Sequence, residues 1–138
     1  MTNVLDCRWW LLAAVLALGA CTVSRLSSED GPRAEDPNVW PANYRSEILA
    51  MLRVFFNDPT GIRDAGMSEP VLQSVGDVNR YVVCLQLNPK KGQGQYAGSK
   101  DYAAIFLRGR LDQMVEARGG LCKAAEYRPF PEAQSLTR

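Results

Sequence analysis

Histidine is absent from the 138 residues. That excludes Ser-His-Asp and Cys-His nucleophile systems and any His-ligated zinc. No apolar run approaches the roughly 20 residues a membrane-spanning helix needs; the run from Trp9 to Leu18 has ten. Neither sign of charge dominates. Sixteen Lys and Arg stand against 15 Asp and Glu, a net +1, without the basic surplus of a general nucleic-acid binder. There is no CxxC pair. The glycines at 92, 94 and 98 are not followed by the GK[ST] of a phosphate loop. Carboxylates are left as the only general acids or bases. Asp58 and Asp64 flank a loop, and Asp112 and Glu116 are expected on one strand face. A glycosidase-type site needs two carboxyl groups across a cleft, and a domain this small leaves little room for one. The expectation is a chain with no catalytic residue, no metal site and no cofactor.

The apolar run Trp9–Leu18 has the length of a signal-peptide core, about 7–15 residues, with Arg8 as its positive flank. It ends in Leu18-Gly19-Ala20-Cys21. This tetrapeptide resembles the lipobox of bacterial lipoproteins: aliphatic, small, small, Cys. The resemblance implies cleavage before Cys21, lipid on its thiol, and a stable anchor of two or three acyl chains such as palmitate. Thr22 and Val23 follow the cysteine. In enteric bacteria an Asp there favours the inner membrane, so the resemblance points to the outer membrane, facing the periplasm. Residues 1–20 are thus expected to be the signal peptide. Residues 21–43 hold three prolines, three serines and six charges between Thr22 and Asn43, too little apolar surface to offset ordering entropy. They read as a flexible linker, with Trp40 packing on the domain that follows.

Residues 44–138 read as a single small α+β domain. From Tyr44 the apolar residues Ile48, Leu49, Leu52, Phe55 and Phe56 form one helical stripe, with Glu47 on the other side. Asp58-Pro59 ends that pattern. Residues 62–79 carry no clear period, although Ala65 and Met67 suit a short strand. Alternation predicts strands over 80–88, 101–108 and 110–117, and a short fourth over 121–127. In the first, Tyr81, Val83, Leu85 and Leu87 face the core, a half-buried strand. In the third, Leu111, Gln113 and Val115 alternate against Asp112, Met114 and Glu116. The expected architecture is one N-terminal amphipathic helix packed on a three- to four-stranded antiparallel meander. The Asn57-Asp58-Pro59 turn, the strand with Cys84 and Asn88, and the loop with Gly94, Tyr96 and Gly98 resemble a recurrent small module of exported bacterial proteins. The likeness covers roughly Phe55 to Phe106. Leu85 stands where that pattern has glycine, and no functional residue carries over from it.

With Cys7 lost in the signal peptide and Cys21 acylated, Cys84 and Cys122 remain, a pair expected to join in an oxidising compartment. The glycine-rich loop 89–100 holds Lys90, Lys91, Tyr96 and Lys100, a candidate site for an anionic partner such as lipid head groups, cell-wall polymer or an acidic protein face. The functional expectation is a membrane-anchored envelope lipoprotein, a non-enzymatic binding or accessory module for another envelope protein or a cell-wall polymer. The alternative is a small envelope enzyme, or an enzyme inhibitor, acting at the cell wall.

Overall fold

The computed structural model describes residues 36–96 and 98–137. The expected signal peptide, Cys21 and the linker up to residue 35 lie outside the described residues.

The chain folds as α+β with one antiparallel sheet of six strands. Helix α1 is Tyr44–Phe55 and α2 the single turn Pro131–Gln134. The strands are β1 Arg63–Met67, β2 Val71–Val75, β3 Val78–Asn88, β4 Lys100–Leu107, β5 Arg110–Glu116 and β6 Arg128–Pro129. Their order is β5-β4-β3-β1-β6, with β2 also paired to β3. The eleven-residue β3 is long enough to hold β4 along one side and two short strands end to end along the other. β2 pairs its first half, Val71 opposite Val82, and β1 its second, Met67 opposite Leu85. One helix on three or four strands is therefore too sparse a description.

The central strands β3 and β4 are buried on both faces, which corrects the half-buried reading of β3. On the first face Val83, Leu85, Leu87, Ala104 and Phe106 pack against Ile48 and Leu52 of α1 and against Phe130 before α2. On the second, Val82, Cys84, Ala103 and Ile105 pack under Leu121, Cys122, Ala125 and Tyr127. The expected fourth strand over 121–127 does not form. Gly119 and Gly120 both take positive φ, and the chain closes in successive turns, with Leu121 N bonding Arg118 O and Ala125 N bonding Cys122 O. Strand pairing resumes only at β6. Gly66 makes that close approach possible, since a Cβ there would sit 3.1 Å from Tyr127 Cβ.

The alternation read along β5 also fails. The ladder skips between Ile105–Gln113 and Phe106–Leu111, a bulge that takes Asp112 out of step. Leu111 and Met114 consequently pack into the same helix-facing core. At the end of the expected linker, Arg108 N donates to Pro37 O at 3.1 Å, and Trp40 meets Tyr81 edge-on at 5.3 Å.

Glu47, expected on the solvent side of the helix, reaches across instead. Its carboxylate accepts Leu111 N at 2.6 Å and pairs with Arg110 Nε at 2.7 Å. It thereby ties α1 to edge strand β5 and occupies an edge amide that would otherwise be open. Glu47→Ala leaves that amide without its acceptor and should destabilise the domain by about 1–3 kcal/mol. Urea unfolding checks this; a change within a few tenths of a kcal/mol would show that water replaces the carboxylate without cost.

Candidate functional site

A group of buried and polar side chains lies on the second face, where the chain bends between β1 and β2. Ser68 sits at the bend and is 6% exposed. Its N–H donates to Cys84 O, and its Oγ accepts from Cys84 N, both at 2.9 Å. The side chain thus stands in for a backbone acceptor while the strand turns, and the ladder of β3 stays satisfied. Glu69 follows. It accepts the Tyr44 hydroxyl at 2.8 Å and lies 3.8 Å from Arg128. Burial and this carboxylate together raise the Tyr44 phenol above its ordinary range.

Cys84 and Cys122 form a disulfide with Cα atoms 5.7 Å apart. Both residues are buried. The bond holds the turns of residues 118–125 over the sheet, and a groove of about 260 Å³ opens between those turns and β2. Val71, Gln73, Val82 and Cys84 line it from the sheet, and Leu121, Ala124 and Ala125 from the turns. Ser68, Glu69, Glu126 and Arg128 stand at one end. Close by, Tyr127 is half-buried, and burial with the Asp101 carboxylate beside it pushes its phenol well up. Such a phenol stays neutral across the physiological range. The groove can therefore receive apolar groups along its length and a charged or polar group at its mouth.

The basic loop is arranged differently from its sequence. Lys90 and Tyr96 pair as an isolated bridge around the turn Gly92–Gly94. The Tyr96 hydroxyl donates to Gly61 O at 3.0 Å. Lys90 Nζ lies where a Cβ on Gly61 would come within 2.8 Å of it. Arg63, which no sequence pattern singled out, places its guanidinium 3.9 Å from the Tyr96 ring centre. The structure therefore gathers Arg63, Lys90 and Tyr96 around Gly61. Lys91 is exposed. Lys100 turns to β5 and pairs with Glu116 at 3.1 Å.

The four carboxylates that the sequence singles out, Asp58, Asp64, Asp112 and Glu116, do not converge. Asp58 accepts Thr60 N and Oγ1 in a local turn. Asp64, at φ 52°, accepts from Asn88 Nδ2. Asp112 is exposed at the bulge, and Glu116 holds Lys100. Among the described residues, no three His, Cys, Asp or Glu side chains gather as a metal would require. No protein-family model matches the chain, and comparison with curated proteins and with solved structures finds no match.

The disulfide closes a separation of 38 residues. In the chain-entropy account, replacing both Cys84 and Cys122 with Ala should cost about 4 kcal/mol of stability. Denaturant midpoints of the oxidised and doubly substituted chains check this. A loss below about 1 kcal/mol would mean that the turns over the second face hold themselves in place.

Proposed function

We propose that this chain is an envelope lipoprotein, anchored through lipid on Cys21 and facing the periplasm from the outer membrane, whose folded domain is a non-enzymatic binding or accessory module. The observation that carries the binding half of this reading is the apolar groove over the disulfide, lying beside an edge of β2 that pairs with none of the described residues. Grooves of this composition recognise by shape and apolar contact, with a few polar groups setting orientation. The Leu18–Cys21 tetrapeptide carries the anchoring half. The partner is another envelope protein or a cell-wall polymer. Lys90 and Lys91, with Arg63 and Tyr96, form a second, basic contact suited to anionic groups, while Lys100 is engaged by Glu116.

Mass spectrometry of the membrane fraction tests the anchoring directly. The expected species begins at an acylated Cys21, and Cys21→Ser should leave the protein unprocessed or soluble. A soluble, unacylated chain in wild-type cells would overturn the anchored reading. Crosslinking of the anchored protein in intact cells tests the module. A discrete crosslinked partner is expected; the absence of any discrete partner counts against a binding role.

A further inference from the structure

We infer that the outer edge of β2 receives an extended peptide of a partner protein as an added strand, with alternate side chains seated in the groove over the disulfide. This rests on the binding-module reading and names the kind of partner it takes.

The lane for such a strand is created by the fold. β1 and β2 lie end to end along β3, and β6 covers the outer side of β1 only, with Gly66 opposite Pro129 and Met67 opposite Arg128. Traced backwards from Arg128 as a strand, residues 121–127 would run along β2. The disulfide and the turns after Gly119-Gly120 draw them onto the second face instead. Among the described residues β2 pairs with β3 alone. Its sequence, Val-Leu-Gln-Ser-Val, contains no charge and no proline, two of the devices by which exposed edges resist pairing. Val71 is 54% exposed and Leu72 46%.

Strand alternation then dictates the occupant. Val71 pairs with Val82 and Gln73 with Arg80, so Val71 and Gln73 share the second face. Partner residues opposite them point into the groove, which has room for about two aliphatic side chains, smaller than the roughly 300–1,000 Å³ of typical small-molecule sites. The intervening residue lies over Leu72 on the helix face. At the mouth, Glu69 and Glu126 outnumber Arg128, so a basic side chain fits where an antiparallel peptide leaves β2. This is recognition by strand addition: main-chain bonds supply affinity, and pockets for alternate side chains supply specificity. A second copy of this chain is the poorer occupant. Two five-residue edges share far less surface than the roughly 1,200–2,000 Å² of a stable protein pair, whereas a peptide is enclosed by edge and groove together.

The test uses the full chain in mild detergent and the labelled, blocked hexapeptide Thr-Val-Thr-Val-Thr-Lys as probe, read by fluorescence anisotropy. Saturable binding is expected. Ala124→Trp, which fills the groove from an exposed position, and Val71→Lys should each weaken it at least tenfold while leaving the melting temperature near that of wild type. Proline at the central valine of the probe should abolish binding, and glutamate in place of its lysine should weaken it several-fold. Lack of saturable binding, equal binding by Ala124→Trp, or a stable dimer that the peptide does not dissociate would each overturn the inference. If the Val71→Lys chain still crosslinks the wild-type partner in cells, the lane is wrong while the module reading stands; if the wild type crosslinks none, that reading fails first.

Discussion

The bond between Cys84 and Cys122 is the constraint on which the second face depends. Cys84 lies in the middle of the longest strand, and Cys122 lies in turns that carry little regular structure of their own. A domain of this size buries a smaller share of its surface than a large one and commonly needs such a cross-link. The bond holds Leu121, Ala125 and Tyr127 against Val82, Ala103 and Ile105. It thereby covers the second side of the central strands β3 and β4. The same pull keeps residues 121–127 from pairing with β2. The groove, and an edge of β2 that pairs with none of the described residues, follow from a stabilising bond.

Both sides of the sheet are thinly covered. One layer is α1 and α2, secured at its margins by Glu47 on β5 and by Arg45, which meets Glu132 at 3.3 Å and lies over the Phe130 ring. The other is a set of turns secured chiefly by sulfur. Surface ion pairs such as Arg45–Glu132 contribute little, so the apolar contacts of Phe106, Phe130, Ile48 and Leu52 dominate the helix side.

The positions of β3, β4 and β5 could be read in advance, the first two from unbroken apolar runs and β5 from its place after the Gly109 turn, although the bulge at Asp112 upsets the faces read along it. β1 showed only as a short strand suited to Ala65 and Met67, because Asp64 takes a left-handed conformation and Gly66 gives up its side chain to the close approach of Tyr127. β2 escaped because an edge strand with Val71 and Leu72 both exposed shows no period. The pattern over 121–127 looked strand-like, since Leu121, Ala125 and Tyr127 are all inward, but successive turns can bury the same positions. The Cys84–Cys122 pairing was legible once the lipobox resemblance set Cys7 and Cys21 aside. The groove was not, as it depends on a bend at Ser68 and on where β6 stops. Within the basic loop, the sequence placed Lys90, Lys91, Tyr96 and Lys100 together, but the bridge between Lys90 and Tyr96 was not legible in it. Arg63 joins them only through the hydrogen bond that docks Tyr96 on Gly61.

The dependence of the second face on the disulfide is open to direct measurement by amide hydrogen exchange, comparing the oxidised chain with one carrying Cys84→Ala and Cys122→Ala. The account predicts that protection falls most in residues 117–127 and in β6, while the centres of α1, β3 and β4 keep the slowest exchange in both chains. Equal protection of residues 117–127 in the two chains would contradict it, because the turns would then be held by packing alone.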